Sequence, residues 1–157
     1  RTILYQSTDK SVNDWLNHKL HRTEFMPFAP VTLFEDMEEN YHHIAHNEYP
    51  ARFMTITFNC SESMQKGCPA VVHVDSTARP QLIEEKANPV YYNIVKEYKK
   101  LTGLSSVINT SFNMHEEPIV CSPGDAIRAF TQGHLEYLAI SNFLVPSPTP
   151  EKARSRE

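Results

Sequence analysis

The sequence predicts a single domain of the mixed α/β class, in which a sheet is flanked by helices. Short runs of β-branched and aromatic residues alternate along the chain with segments of helical periodicity, and no internal repeat interrupts this order. The length of 157 residues is that of one ordinary domain. The hydrophobic content of 40% is sufficient to bury a core.

Three helices carry recognisable start signals. Asn88 is a suitable N-cap, Pro89 follows at the first helical position, and Gly103 stands past the last apolar residue of the periodic segment. Ser122 begins a second helix in the same way. A third, amphipathic helix is predicted over residues 11–20.

Strands are predicted from apolar runs bounded by turn residues. They are expected at residues 31–34, 53–58, 69–74, 104–108 and 135–141. The polar segment 35–48 is expected to form a helix or a lid. The proline-rich stretch 146–157 is expected to be a solvated tail, so that the folded domain covers residues 1–145.

Charge and cysteine content restrict the function class. A net charge of −4 gives no global basic field, which argues against nucleic acid or an anionic membrane as the partner. There is no apolar run of eighteen residues, so no membrane span is expected. Cys60, Cys68 and Cys121 form no C-x-x-C pair, and we expect reduced thiols in a soluble, cytoplasmic domain.

Any phosphate site has to be built from side chains, because none of the four glycines lies in a phosphate-binding glycine loop. Lys19, Arg22, Arg52 and Arg79 are the candidate cations. Each of them, taken alone, is more often a solvated surface residue.

Arg79 stands out by its context. The run from Val71 to Arg79 passes from an apolar strand to the hydroxyl residues Ser76 and Thr77 and then to the guanidinium, which together would clamp an oxyanion. The alternative is a strand end turned by Asp75 and Ser76, with a surface arginine beside it.

A second polar run follows the strand predicted at 104–108. Asn109, Ser111 and Asn113 lie where binding residues of α/β sheets are often found. The alternative is an Asx-type turn in which these side chains stabilise their own backbone.

Three histidines are spaced like metal ligands, but the pattern is incomplete. Only His42 and His46 would share a helical face, His43 would not, and no third ligand is close in sequence. We therefore expect a solvated polar helix here and no metal site.

Three motifs occur in order along the chain: Arg-Thr-Glu-Phe-Met-Pro-Phe-Ala-Pro at 22–30, His-Val-Asp-Ser-Thr-Ala-Arg-Pro-Gln at 73–81, and Asn-Thr-Ser-Phe-Asn at 109–113 followed by Glu-Pro-Ile-Val at 117–120. Together they resemble the C-terminal domain of the nodulation-type and antibiotic-tailoring O-carbamoyltransferases. The resemblance extends from residue 1 to about residue 142 and so covers nearly the whole chain.

This resemblance implies a YrdC-like fold, a twisted open mixed sheet with flanking helices and a cleft for nucleotide and carbamoyl phosphate. In such enzymes the cleft forms carbamoyl-adenylate from ATP, which binds with Mg²⁺, and releases pyrophosphate. A larger actin-like N-terminal domain, which carries a metal and the hydroxyl acceptor site, would be the partner of this domain. None of that domain is expected in the present sequence.

The resemblance also suggests roles for individual residues. Arg79 matches the arginine of a Thr-Ala-Arg motif and would contact phosphate, beside Ser76 and Thr77. Ser111 would contact a phosphate or carbamoyl oxygen, flanked by Asn109 and Asn113, which would orient the carbamoyl donor.

The chain departs from the family pattern upstream. Leu20 and Met26 stand where many members carry cations, which leaves Arg22 and, one residue before Leu20, Lys19 as the expected phosphate contacts. Two lost charged contacts would weaken phosphate binding by about 3 to 6 kcal/mol if nothing replaced them.

Two other functions stay open at this point. One is a non-catalytic YrdC-like module that binds a nucleotide or RNA, and the other is a domain that only supports its N-terminal partner. No side chain is assigned as nucleophile or general base, His73 included, and the acceptor is not predicted.

Overall fold

The computed structural model describes residues 1–19 and 28–147 and has the mixed α/β architecture that the sequence predicts. Its strands are β1 (Thr2–Tyr5), β2 (Ala29–Leu33), β3 (Phe58–Asn59), β4 (Thr77–Ala78), β5 (Gln81–Ile83), β6 (Ser106–Ser111), β7 (Tyr137–Ile140) and β8 (Phe143–Pro146). Its α-helices are α1 (Ser11–Lys19), α2 (Met37–Asn40), α3 (Glu48–Ala51), α4 (Glu62–Gly67), α5 (Pro89–Thr102) and α6 (Pro123–Gln132). Short 3₁₀ turns cover Phe34–Asp36 and Pro69–Val71.

The chain divides into two compact units. Of the described residues, the larger unit comprises 2–14 and 28–110, and the smaller one comprises 1, 15–19 and 111–147.

A mixed sheet with the strand order β1-β6-β2-β5 is the centre of the larger unit. β2 pairs in parallel with β5, placing Val31 opposite Gln81, and antiparallel with β6, placing Val31 opposite Val107 on its other side. Parallel and antiparallel neighbours on one strand make the sheet mixed, as predicted.

The two faces of this sheet are buried in different ways. On one face Val31, Leu33 and Val107 pack with Tyr92 and Val95 of α5. Because side chains alternate along a strand, Thr32 points to the other face. There its hydroxyl bonds to the hydroxyls of Tyr41 and Ser106, each at 2.7 Å, so the polar groups buried on that side satisfy one another.

The predicted caps of α5 and α6 are confirmed. Asn88 accepts a hydrogen bond from the Tyr91 backbone N–H, and Gly103 ends α5 with a left-handed φ of 79°. Ser122 and Asp125 form a capping box at α6. The hydrogen bonds from Ser122 lower the pKa of Asp125 to about 2.

Two predicted strands are wrong. Residues 53–57 form a turn in which the Phe53 backbone N–H donates to the Pro50 carbonyl and Met54 has a left-handed φ of 55°, so that only Phe58 of the predicted run lies in a strand. The buried run beginning at Pro69 is a 3₁₀ turn. Length and apolarity alone do not separate a short buried strand from a helical turn.

Other boundaries also differ from the prediction. The polar residues 109–111 belong to β6 itself and do not follow its end, while residues 41–47 contain turns instead of a polar helix. The strand expected to close the sheet is β7, which instead pairs with β8 in a separate hairpin. The tail predicted at 146–157 begins too early, because β8 ends at Pro146, and its residues from 148 onward lie outside the described residues. No helix in the described ranges has the length and apolarity to cross a membrane.

Candidate anion-binding site

The segment before Arg79 is a turn that its own side chains stabilise. Asp75 Oδ1 accepts hydrogen bonds from the backbone N–H of Thr77 at 3.1 Å and from its hydroxyl at 2.7 Å. These bonds lower the pKa of Asp75. Ser76 takes a left-handed φ of 64° within the turn. The structure therefore contains the turn at Asp75 and Ser76 that the sequence offered as the alternative to an oxyanion clamp.

The same turn determines which hydroxyl is free. Thr77 Oγ1 is shared between Asp75 and the ring Nδ1 of His73, at 3.0 Å. The Ser76 backbone carbonyl accepts from the Cys60 N–H at 2.9 Å, but its hydroxyl has no partner among the described residues. Ser76 is thus better placed than Thr77 to donate to a ligand.

His73 is half-buried beside this turn. Burial lowers the pKa of His73, the nearby Asp75 carboxylate opposes this shift, and the positive charge of Arg79 adds to it. The imidazole is therefore neutral near pH 7 and adds no positive charge to the segment.

Arg79 is an exposed guanidinium between two buried neighbours. Ala78 of β4 and Pro80 are buried on either side of it, which fixes the backbone while the side chain extends into solvent. In the ranges 1–19 and 28–147 no carboxylate pairs with Arg79. By contrast, Arg52 binds Glu84 at 2.7 Å and Arg128 binds Asp125 at 3.1 Å. The donors of Arg79 are available to an anion.

Asn109 has a different environment from the one the sequence predicts. Its Oδ1 accepts a hydrogen bond from the Thr2 hydroxyl of β1, and its Nδ2 donates to Gln81 Oε1 of β5. The side chain therefore links strands on both sides of β6. Gln81, two residues beyond Arg79, thereby brings Asn109 close to the Arg79 segment. Sequence reasoning gave no role to Thr2 or Gln81, because this contact depends on strand order.

Ser111 and Asn113 lie in the smaller unit. The half-buried hydroxyl of Ser111 has no partner among the residues described. Asn113 Nδ2 donates to the carbonyls of Met114 at 2.8 Å and Glu117 at 2.9 Å, and its buried Oδ1 accepts no hydrogen bond from the described part of the chain. Asn113 thus stabilises its own loop with one end of its amide and leaves the other end free.

The upstream cations are not located by the structure. Arg22, Leu20 and Met26 lie outside the described residues, and so does the side chain of Lys19, whose backbone ends α1. The phosphate contacts predicted for Lys19 and Arg22 stay predictions.

A cavity of about 460 Å³ lies elsewhere in the larger unit. Its lining is formed by two aromatic rings, three carboxylates and one lysine: Phe34, Glu35, Glu84, Glu85, Lys86 and Tyr92. Tyr92 donates a hydrogen bond to Glu35, which raises the pKa of the phenol to about 12. An acidic lining repels phosphate, so this cavity does not suit a phosphorylated ligand.

The three histidines do not form a shared face. His43 and His46 have left-handed φ values of 58° and 70° in the turns after α2. Within the described ranges, no three His, Cys, Asp or Glu side chains are grouped as metal ligands.

Comparison with known proteins identifies the family. Among proteins of known structure, the chain resembles HypF, solved in a phosphate- and nucleotide-bound form, with a TM-score of 0.59 and 16% identity over 83% of this chain and 16% of HypF. This likeness confirms the predicted fold class.

Curated relatives share more of the sequence. The chain is 38% identical to the uncharacterized protein MJ1058 of Methanocaldococcus jannaschii over 92% of its own length and 23% of that protein's. It is 36% identical to the nodulation protein NolO of Bradyrhizobium diazoefficiens over 92% of its length and 26% of NolO. The chain thus spans about a quarter of the relatives it matches. The model of the carbamoyltransferase C-terminus family matches residues 1–147, and the chain belongs to that family.

Proposed function

We propose that this chain is the part of an O-carbamoyltransferase that binds ATP and carbamoyl phosphate and promotes formation of carbamoyl-adenylate. The observation that carries the proposal is the exposed Arg79 guanidinium, which has no carboxylate partner in the described ranges and stands three positions after Ser76, whose hydroxyl has no partner there either. Family membership and the phosphate- and nucleotide-bound state of the HypF structure support it.

The chemistry assigned to these residues is electrostatic. In the overall balance, ATP, carbamoyl phosphate and water give carbamoyl-adenylate, phosphate and pyrophosphate. Adenylyl transfer needs the phosphates to be positioned and their developing charge to be neutralised, with little covalent help from the protein. We treat Mg²⁺ as part of the nucleotide substrate, because it binds mainly through phosphate oxygens and water.

Each residue then has a defined task. Arg79 offers a planar fork of donors that fits two phosphate oxygens, and Ser76 adds a hydroxyl donor. Ser111 and the free Oδ1 of Asn113 are assigned to the carbamoyl donor, whose amide N–H groups need an acceptor. Lys19 and Arg22 are assigned to the remaining phosphate charge.

The partner and the final step are proposals of the same kind. We propose that the carbamoyl group passes to a hydroxyl acceptor on a larger N-terminal domain of the same enzyme. Relatives about four times as long as this chain leave room for such a domain.

Calorimetric titration of the chain with ATP–Mg²⁺ at low salt tests the binding site. Arg79→Ala should raise the dissociation constant about ten- to a hundredfold, the usual worth of a charged hydrogen bond of 1.5 to 3 kcal/mol. Arg79→Lys should restore part of the affinity, because a point charge lacks the bidentate fork. Added salt should weaken binding to an exposed site.

Arg128→Ala is the matched control, since Arg128 is also exposed but is paired with Asp125. It should leave ATP binding unchanged. An Arg79→Ala variant that binds ATP as wild type does would place the anion site elsewhere. A folded wild-type chain that gives no heat with millimolar ATP would favour the purely supporting role.

A further inference from the structure

The hairpin formed by β7 and β8 exposes an apolar face that nothing in the described chain covers. Directly opposed residues of an antiparallel pair point to the same side, so the register puts Tyr137 with Pro146 and Ala139 with Leu144 on one face. All four are exposed, Tyr137 at 62% and Leu144 at 68%. We call these four residues the outer hairpin face.

The opposite side of the hairpin is only partly covered. Leu138 is buried, but Phe143, on the same side as Leu138, is 71% exposed. A two-stranded hairpin is only marginally stable in water by itself. Exposure of large apolar side chains on both of its sides lowers that stability further. A surface of this kind is typical of an interface.

The composition of the hairpin indicates the kind of partner. No charged residue or histidine occurs between Tyr137 and Pro150. Transient partners that meet by diffusion use charged rims to steer their encounter, whereas permanent interfaces resemble a divided core. The outer hairpin face, which has no charged residue, resembles a permanent interface.

Size favours a tethered partner over a second copy of the chain. Four side chains cover only a few hundred Å², whereas complexes of separate chains bury about 800 Å² on each partner. A domain on the same polypeptide is held at high effective concentration and needs less contact area. The relatives, of which this chain spans 23% and 26%, have the additional sequence that such a domain requires.

We propose that the outer hairpin face packs against an apolar surface on the part of the carbamoyltransferase polypeptide that precedes this domain. The contact attaches this domain to the rest of the enzyme through the hairpin. This inference does not depend on whether the domain binds ATP or carbamoyl phosphate.

Hydrogen exchange of the hairpin amides tests the proposal in two proteins, the 157-residue chain and the longer carbamoyltransferase polypeptide that contains it. The amides of β7 and β8 should exchange at least about tenfold more slowly in the longer polypeptide. Leu144→Arg should abolish this protection and lower the thermal midpoint of the longer polypeptide.

Leu101→Arg is the matched control, because Leu101 is 85% exposed at the end of α5 and arginine is favourable near a helix C-terminus. It should leave the longer polypeptide unchanged, and in the 157-residue chain neither substitution should move the thermal midpoint.

Three outcomes would overturn the proposal. Equal exchange of the hairpin in both proteins would show that nothing docks on it. A dimer of the 157-residue chain that Leu144→Arg dissociates would identify a second copy as the partner. Unfolding of the 157-residue chain by Leu144→Arg would show that the face is covered within this chain.

Discussion

Asn109 has two possible roles, a structural one and a ligand-binding one, and truncation to alanine distinguishes between them. The sequence places Asn109 beside the carbamoyl donor. In the structure both ends of its amide are engaged, with Thr2 of β1 and with Gln81 of β5. Asn109→Ala should therefore act mainly on stability.

The magnitude follows from the two hydrogen bonds that are lost. Each side-chain hydrogen bond contributes about 1 kcal/mol, and Thr2 retains the Thr110 carbonyl, at 2.8 Å, as an acceptor. The expected loss is about 2 kcal/mol, which corresponds to a fall of about 4 to 8 °C in the thermal midpoint of a chain of this size. Gln81→Ala should cost about half as much.

A double-mutant cycle tests whether Asn109 and Gln81 act on each other. If they do, the combined variant should lose about 1 kcal/mol less than the sum of the two single variants. Ser111→Ala, two residues further along β6, is the control, because its hydroxyl has no partner in the described ranges. It should change stability by less than about 0.5 kcal/mol.

Calorimetric unfolding combined with ATP and carbamoyl phosphate titration gives the decisive result. A stable Asn109→Ala variant that loses affinity for carbamoyl phosphate would refute the structural assignment and restore the binding role. Strict additivity of Asn109→Ala and Gln81→Ala would show that the link across the sheet contributes nothing.

Three further outcomes are expected. Ser122→Ala should lower the free energy of unfolding by about 1 kcal/mol, since α6 loses its N-cap, measurable by denaturant titration. The Asp36 carboxylate raises the pKa of Lys99. The stability that this pair contributes is therefore present below the ordinary lysine pKa and is lost as pH rises through the raised value. Thermal midpoints of wild type and Lys99→Met should converge above about pH 10.5. A thiol reagent at neutral pH should label Cys121 alone until denaturant is added, because the other two thiols are buried and burial raises the pKa of Cys60 to about 12.

Local signals predicted the helices well because their causes lie within a few residues. The Asn88 and Ser122 caps, the proline that follows each and the glycine after α5 act on adjacent backbone, so sequence and structure agree there. The predictions of short strands failed because such strands depend on pairing with distant parts of the chain. Strand β5 has three residues and is defined by its parallel pairing with β2, about fifty positions earlier in the chain.

In the candidate site, too, local features could be predicted and features that depend on distant residues could not. The exposure of Arg79 and the turn at Asp75 follow from neighbouring residues, and both could be anticipated. The engagement of Asn109 by Thr2 and Gln81 could not, because it requires the strand order β1-β6-β2-β5, which brings together three residues distant in sequence. A polar run in a sequence therefore identifies a region, while strand order determines which of its side chains are free.

Ion pairing is consistent with the anion site that we propose on a chain of net charge −4. Arg52, Lys86 and Lys99 are each within 3.3 Å of a carboxylate, and pairing of this kind leaves little field for a distant phosphate. Arg79 differs in having no such partner in the described ranges, and the neutral His73 beside it adds no competing positive charge. We therefore propose that Arg79 is the main phosphate contact among the described residues, while the acidic net charge disfavours extended polyanions such as RNA.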